Sequence, residues 1–526
     1  MKNATKRLAA MLAALMLLSA CGRDGEQTPE DGGEETLTPV GQEIEERAAA
    51  DDIFSVNYDP NKSLNPIKAD SATNVQLWSL MYDSVFTVGS DYTVTSEIVT
   101  KYTTSDRIWW VFNVDTSIKF TDGTTLSAYD VAYSIRQAQL SSYYANKLSV
   151  IYGVSAMSTD TFAITTKYAN GSLPALLYIP NIKAGSMSQT APPGTGPYRL
   201  SEAGDCLELF ADNRHAGEMP IDKIYLKSYM DTADRISAFE DSLIDIVTND
   251  PTGVYNLGYG SSNETRYYGT TNMHFVGFNM QGMFFQSPKV RYAFAYILDR
   301  DGIVSGCLGG NAEASALPVP SSCGLYDADY DAKLRYDPEK FLRLLEAADV
   351  RDYDDDGLPE FRVTGIIVKT DIKFIVNNNS TAKVLAARRI TENLNAAGIK
   401  TTLYELAWDD YVKALEDGDY DMYYGEIRLS ADWNLAYMFE KDSSMNYANC
   451  TDASFAELYY AYLAADETER VAAFNEAEHD LIENGGLLPV CFERMQVLTH
   501  RGVVSGLRPT EYDLFYNFAE WTISMK

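Results

Sequence analysis

The sequence is short of the residues on which most enzymatic chemistry depends. Only four histidines occur in 526 residues, and they form neither an HExxH pair nor a spaced metal cluster. The chain also lacks a GxSxG nucleophile elbow, a P-loop and a dinucleotide-binding glycine fingerprint. One Ser-x-x-Lys motif begins at Ser380, but the SDN and KTG motifs of penicillin-binding enzymes are missing, and Ser380 is better explained as a helix N-cap. We therefore expect no catalytic residues, no cofactor and no resident metal ion.

Positive charge is scarce as well. The chain has 43 Lys and Arg against 75 Asp and Glu, which gives a formal net charge of −32. Nucleic acids and anionic lipid surfaces both attract basic faces, so neither is an expected partner.

Long apolar runs are missing except near the N-terminus. Leu8–Leu18 is apolar, follows Lys2, Lys6 and Arg7, and is too short to span a bilayer comfortably. This layout predicts a secretory signal peptide over residues 1–20. The tetrad ending at Cys21 (LSAC) resembles the lipobox of bacterial lipoproteins, which implies a lipid on Cys21. The alternative is an ordinary signal peptide that happens to contain this cysteine.

Residues 21–50 are rich in Gly, Glu, Asp, Thr and Pro and have almost no large apolar side chains. Such a composition cannot bury enough surface to order itself, so it predicts a flexible acidic tether. The folded body is then extracytoplasmic and anchored to the cell membrane by the lipid, although which membrane of a two-membrane cell holds it stays open.

Few cysteines remain after Cys21, and their number is odd: 206, 307, 323, 450 and 491. At least one is therefore unpaired within a monomer. An extracytoplasmic setting permits a disulfide between Cys307 and Cys323, but spacing alone does not decide it.

The pattern of apolar residues predicts helices and strands in alternation. The strongest series comprises a helix from Thr381 to Gly398, a strand over 399–406, a helix over 409–418 and a strand over 420–427. Alternation of this kind predicts an α/β sheet with crossover helices. Four earlier elements are also expected: a helix over 71–82, a strand over 109–114, a hairpin turning at Asp122-Gly123, and a helix over 128–139.

An acidic stretch at 351–361 (RDYDDDGLPEF) matches the start of a calcium-binding loop. Asp352, Asp354, Asp356 and Gly357 fit D-x-D-x-D-G, but the closing acidic ligand would fall at 363, which is valine. Glu360 could contribute through water, and the alternative is an acidic turn before a strand. Calcium binding is left open at this point.

Five stretches in order resemble one family, the extracytoplasmic solute-binding proteins of peptide-type ABC importers. They are IKFTDGTTLSAYDVAYSI, PPGTGPYRL, HFVGFNM with the following SPKVRYAFAYILDRDGIV, RYDPEKFLRLLEAA, and AAGIK with WDDYVKALEDGDYDMYYG. The resemblance covers nearly all of the chain after residue 51.

What the resemblance implies is a two-lobed, periplasmic-binding-protein-like α/β clamp with a hinge and an extra N-terminal subdomain. The first lobe would comprise 51–80, 199–270 and 487–526, with the subdomain at 81–198 and the second lobe at 271–486. Ligand would be enclosed between the lobes by hinge closure.

The resemblance also implies where a peptide would bind. In peptide-binding members a carboxylate in the stretch A-D-[YW]-N takes the ammonium of the peptide, and ADWN here makes Asp432 the candidate. Trp433 and Asn434 are expected beside it, and His274 is a weaker candidate for the cleft. A structural cap or an internal ion pair is the alternative for Asp432.

The expected function is a non-enzymatic, monomeric receptor that captures short peptides and delivers them to the permease and ATPase subunits of an ABC importer. An oligosaccharide-binding member of the same fold and a ligand sensor remain alternatives, and a surface hydrolase would need a catalytic set that the sequence lacks. Ligand length and side-chain preference cannot be predicted from the sequence.

Overall fold

The computed structural model describes residues 52–252, 263–363 and 365–525. The expected signal peptide, Cys21 and the acidic tether lie outside these residues. Within them, no helix combines the length and the apolar character needed to cross a bilayer.

The described helices alternate with strands through most of the chain. The α-helices are Ala72–Val75, Trp78–Met81, Ala128–Ala138, Leu173–Leu176, Thr232–Glu240, Pro288–Ala293, Arg300–Cys307, Ala328–Asp331, Pro338–Ala347, Thr381–Ala396, Trp408–Asp417, Ser454–Ala464 and Arg470–Asn484. Short 3-10 helices occur at Ala216–Glu218, Phe294–Tyr296, Ala332–Leu334, Ala436–Met438 and Phe518–Glu520.

A large mixed sheet of eleven strands runs through the described part of the molecule. Its strands, in spatial order, are Thr401–Leu406, Ile372–Asn377, Met422–Arg428, Glu264–Phe278, Leu487–Thr499, Ile246–Asn249, Ser55–Asn57, Lys223–Lys227, Cys206–Leu209 and Tyr198–Leu200, with Ala312–Ala314 paired to Leu487–Thr499.

Smaller sheets complete the described strands. An antiparallel four-stranded sheet consists, in spatial order, of Val99–Thr104, Trp109–Val114, Thr161–Thr166 and Ile151–Ala156. Two-stranded pairs join Thr87–Val88 to Val94–Thr95, Glu360–Val363 to Ile366–Lys369, and Val504–Ser505 to Thr522–Ile523.

The described residues form two large hydrophobic cores and a third, small cluster of Ala238, Phe239, Ile244, Val247 and Leu498. One core takes its buried side chains from residues 273–492, and we call it the 273–492 core. The other takes them from residues 54–246 together with 497–521, and we call it the 54–246 core. This arrangement confirms the predicted α/β class and is consistent with a two-lobed clamp, while the lobe boundaries given above stay predictions.

Two long strands run through both cores, and we call Glu264–Phe278 and Leu487–Thr499 the crossing strands. They pair antiparallel along most of their length, but their register shifts between Gly269 and Met273. A shift in register is an irregularity that bends a strand. The bend falls where the chain leaves one core for the other, as a hinge requires.

The series predicted over 381–427 is confirmed. Ile372–Asn377 pairs parallel with both Thr401–Leu406 and Met422–Arg428, and the intervening helices provide the crossovers. The helices end where glycine allows a left-handed backbone, with φ of +82° at Gly398 and +68° at Gly418.

The earlier elements are confirmed in part. The strand Trp109–Val114, the turn at Asp122-Gly123 and the helix beginning after Ser127 occur as predicted. The helix predicted over 71–82 is instead two single turns, because the backbone N–H groups of Gln76 and Leu77 bond three residues back rather than four.

All five described cysteines are free thiols. The disulfide considered between Cys307 and Cys323 is therefore not formed. Cys323 instead lies buried, and Cys307 is partly buried in the same 273–492 core.

Candidate functional site

The segment 430–434 follows the strand Met422–Arg428 and lies where the two cores meet. Across from it lies the segment 168–172, which follows the strand Thr161–Thr166. Two contacts join the segments, Asn170 to Asp432 and Tyr168 to Asn434. Ser172 also contacts Tyr462 of the helix Ser454–Ala464, at 3.4 Å between hydroxyl oxygens.

Asp432 is a buried carboxylate whose side-chain partners are neutral. Only 3% of the residue is exposed. Its Oδ1 accepts a hydrogen bond from the Ser430 hydroxyl at 2.5 Å, and its Oδ2 accepts one from the Asn170 amide at 3.0 Å. Among the described residues, no Lys, Arg or His forms a salt bridge with it.

Burial raises the pKa of the Asp432 carboxyl, and the hydrogen bonds from Ser430 and Asn170 offset only part of that rise. An ionised carboxylate is costly in such a place unless a cation pairs with it. The arrangement can therefore accept an incoming ammonium, which would supply the missing charge.

Trp433 is held in an unusual backbone conformation. Its φ is +54°, in the left-handed region that residues other than glycine seldom adopt. The ring is buried and meets the edge of Tyr92 with 5.0 Å between centroids. Because Tyr92 lies between the strands Thr87–Val88 and Val94–Thr95, this pair links the 273–492 core to the neighbouring hairpin.

Asn434 completes the contact surface. Its side-chain amide donates to the Tyr168 hydroxyl at 3.2 Å, and the ring of Tyr168 packs edge-on against Tyr460 at 4.8 Å. Asp432, Trp433 and Asn434 thus lie together at the meeting of the two cores, each in contact with a residue from the opposite side.

His274 lies elsewhere, inside the 273–492 core beside the bend of the crossing strands. Its Nε2 is 2.8 Å from a Glu493 oxygen and its Nδ1 is 2.9 Å from the Tyr424 hydroxyl. Burial by itself would raise the pKa of Glu493, but the bond with His274 and its charge hold that pKa below the usual value. Among the described contacts, none joins His274 to the Asp432 segment, and its assignment to the ligand site stays a prediction.

Two cations lie near the same interface: Lys147, which sequence reasoning missed, and Arg428, which it could not assign to a ligand contact. Lys147 is half-buried; it donates to the Tyr178 carbonyl at 2.9 Å and lies over the Tyr144 ring at 4.9 Å. Burial, together with the nearby Arg428, lowers the pKa of the Lys147 ammonium to about 7. Arg428 is exposed and bonds Glu511 at 2.7 Å. No local motif marks Lys147, so only the fold identifies it.

Glu511 joins the C-terminal segment to the bend in the crossing strands. It accepts hydrogen bonds from the Thr271 backbone N–H at 2.8 Å and from the Thr271 hydroxyl at 3.1 Å, besides its ion pair with Arg428. One carboxylate therefore holds the bend and the end of the strand Met422–Arg428 together.

A cavity of about 320 Å³ opens beside Glu511. It is bounded by the hairpin that carries Tyr92, by the first half of a crossing strand and by the C-terminal segment. Its lining is aromatic and polar and consists of Gly89, Ser90, Tyr92, Arg266–Gly269 and Leu507–Tyr512. Tyr92 connects this space to Trp433, so the cavity adjoins the Asp432 segment although Asp432 does not line it.

A second cavity, of about 430 Å³, lies around Tyr296 and residues 333–340. Its lining consists of Tyr296, the start of the helix Pro338–Ala347 and residues just before that helix, with no side chain from the 54–246 core. We do not assign ligand binding to it.

The chain is similar in sequence to bacterial solute-binding proteins. A family model described as bacterial extracellular solute-binding proteins, family 5 Middle, matches residues 93–453. A Brucella ovis protein named as an ABC transporter peptide-binding protein is 27% identical over 46% of this chain, and the match spans about half of that relative (49%). The oligopeptide-binding protein AppA of Bacillus subtilis is 20% identical over 80% of this chain and 79% of its own length.

Solved structures share the fold. The murein tripeptide-binding protein MppA, in an unliganded open form, aligns with a TM-score of 0.73 at 15% identity over 90% of this chain and 98% of that chain. A nickel ABC transporter protein from Bacillus halodurans aligns with a TM-score of 0.72 at 17% identity over 88% and 98%. At these identities the likeness concerns the fold alone.

Proposed function

The chain belongs to the bacterial extracellular solute-binding proteins of family 5, and we propose that it is the substrate-binding component of an ABC importer that captures short peptides between its two cores. The observation that carries this proposal is Asp432, a buried carboxylate at the meeting of the cores whose side-chain partners among the described residues are uncharged.

The chemistry of Asp432 suits the N-terminal ammonium of a peptide. A charge-assisted hydrogen bond between ammonium and carboxylate is about twice as strong as a neutral one. Such a pair forms only when ligand is bound, so it contributes to affinity rather than to the stability of the empty protein. Tyr92, which packs against Trp433 and lines the adjoining cavity, offers an apolar face for ligand side chains.

The opposite charge is also provided. Arg428 is close enough to Lys147 to help lower the pKa of its ammonium, and Arg428 is exposed. A peptide has one cationic and one anionic end, so the buried carboxylate of Asp432 and the two cations near the cavity suit a zwitterionic ligand. The peptide backbone would be held by hydrogen bonds that do not read the side chains.

The remaining parts of the proposal concern location and delivery. We propose that residues 1–20 are removed, that Cys21 carries a lipid, and that residues 21–50 tether a monomeric body outside the cytoplasm. The body would hand its ligand to permease and ATPase subunits. Several similar proteins carry names that include peptide or oligopeptide binding, which supports this assignment.

The test begins with native mass spectrometry of the purified chain, to identify ligand that remains bound after purification. Affinities of matching peptides are then measured by calorimetry for the wild type and Asp432→Asn, each with a free and an N-acetylated peptide. Truncating one partner of a buried charge pair costs about 2–5 kcal/mol, or about 30-fold to several thousand-fold in affinity. We expect acetylation to weaken binding by the wild type by that amount and to leave the variant almost unaffected.

Asp421→Asn serves as the matched control. Burial raises the pKa of the partly buried Asp421 carboxyl, as it does for Asp432, but Asp421 accepts a hydrogen bond from the Lys373 backbone N–H and directly precedes the strand Met422–Arg428, at the end away from Asp432. It should bind peptide as the wild type does. If acetylation of the peptide weakened binding as much in Asp432→Asn as in the wild type, the proposed contact between Asp432 and the ammonium would be refuted. Bound masses spaced by sugar units, unaffected by Asp432→Asn, would instead favour the oligosaccharide alternative.

A further inference from the structure

The acidic loop at 352–357 is closed by a residue that the sequence pattern does not assign to that role. Asp352, Asp354, Asp356 and Glu360 each offer an oxygen, and these four oxygens lie within 4.8 Å of one another. Ligands on opposite sides of a calcium ion, at 2.3–2.6 Å each, are about 5 Å apart at most. The four carboxylates therefore converge on a volume that suits one Ca²⁺ ion.

Glu360 is the decisive member of this group. It is completely buried, and although its Oε2 accepts the Tyr353 backbone N–H at 2.9 Å, its Oε1 has no hydrogen-bond partner among the described residues. A buried carboxylate oxygen without a partner is costly to keep. A cation among the three aspartates would satisfy it.

The backbone of the loop has the shape that such a site needs. Gly357, with φ of +87°, occupies the position at which calcium loops require glycine for a sharp turn. The ends of the loop are joined by reciprocal backbone hydrogen bonds between Arg351 and Glu360, both 2.9 Å. The next residue, Phe361, packs against Phe284 in the 273–492 core and holds the strand in place.

We propose that this loop is a calcium site held by Asp352, Asp354, Asp356 and Glu360, with the Leu358 carbonyl at the position that supplies a main-chain ligand. Glu360, nine positions into the loop, replaces the closing glutamate that would stand at 363. The proposal is independent of the peptide-binding function.

Lys369 now provides the local positive charge. Its ammonium contacts Asp356 directly and lies 3.7 Å from an Asp354 oxygen. The side chain is largely exposed, so calcium can displace it without loss of packing. Lysine and calcium would thus compete for the same two carboxylates.

The test is a calcium titration of the full chain, stripped with a chelator, by calorimetry and by terbium luminescence. We expect one saturable site in the range of extracellular modules, about 10⁻⁴–10⁻³ M. Glu360→Gln and Asp354→Asn should each weaken binding at least about tenfold. Asp354 is exposed, so its variant remains informative if the change at buried Glu360 impairs folding.

Asp355→Asn is the matched control. It removes the same charge from the same loop, but Asp355 does not belong to the converging group, and asparagine tolerates its φ of +59°. It should bind calcium as the wild type does, and Lys369→Met should bind more tightly because the competing ammonium is gone.

Three results would overturn the proposal: no saturable binding at millimolar calcium, equal losses in Asp354→Asn and Asp355→Asn, or weaker binding in Lys369→Met. Equal losses would mean that calcium responds only to the net charge of the surface.

Discussion

Glu478 is electrostatically unfavourable in the folded protein, and its replacement should stabilise the protein. The residue lies on the helix Arg470–Asn484, is completely buried, and neither carboxylate oxygen has a hydrogen-bond partner among the described residues. Burial, with Asp327 and Asp331 nearby, raises the pKa of its carboxyl from 4.5 to about 9.

The sign follows from proton binding. Above pH 4.5 the unfolded chain releases this proton, whereas the folded chain keeps it up to about pH 9. The folded state therefore loses stability as pH rises through this window. Each pKa unit corresponds to about 1.4 kcal/mol, so at neutral pH Glu478 costs about 3 kcal/mol relative to a group that does not titrate.

Glu478→Gln removes the titration with little change in shape. Guanidinium unfolding should give the wild type and the variant equal free energies of unfolding near pH 4.5. From there to about pH 8, the variant should become more stable than the wild type by about 1.4 kcal/mol per pH unit. Glu476→Gln is the matched control, because Glu476 is exposed on the same helix. A difference between wild type and Glu478→Gln that does not vary with pH would refute the reasoning.

Two further predictions concern the site and the sheet. Peptide affinity should fall as pH drops below the raised pKa of Asp432, because the carboxyl must lose its proton to pair with an ammonium. Calorimetry at several pH values should show this fall in the wild type. A similar pH dependence in Asp432→Asn would contradict the prediction. Gly425→Ala should lower the free energy of unfolding by about 1–3 kcal/mol in guanidinium titrations, since the added Cβ would lie 2.4 Å from the Phe275 ring. Gly153→Ala, also in a strand but with nothing within 4 Å of its added Cβ, should have a much smaller effect, and equal losses would argue against the steric explanation.

Local signals predicted many of the elements correctly. The turn at Asp122-Gly123 and the glycine-terminated helices depend on backbone preferences that act within a few residues. The helix predicted over 71–82 was wrong in its middle, where the Asn74 side chain bonds backbone groups of Asp59 and Ser63 and the chain turns. Hydrogen bonds from a side chain to distant backbone groups do not alter the spacing of apolar residues, so that spacing could not predict the break in the helix.

The site was predictable only in part. The motif around Asp432 identified one carboxylate and its neighbours, but its partner Asn170 is 262 residues away in the chain. Lys147 and Glu511 likewise belong to segments that no local pattern connects to residue 432. His274, chosen for its place in the chain, lies among Glu493 and Tyr424 instead of beside the Asp432 segment.

The loop proposed to bind calcium was likewise only partly predictable from the sequence. The spacing of Asp352, Asp354 and Asp356 is a local property that the sequence displays directly, but the pattern placed the closing ligand at 363, where a valine stands.

The sequence by itself determined the α/β class, the family and the residue types available for binding, because periodicity, caps and motifs act over short stretches of chain. Only the tertiary structure decided which groups surround each charge. It gives Asp432 uncharged side-chain partners, brings two cations near it, and places the buried Glu360 close to three aspartates. Contacts between distant segments depend on how the cores pack, and a linear pattern does not encode that packing locally.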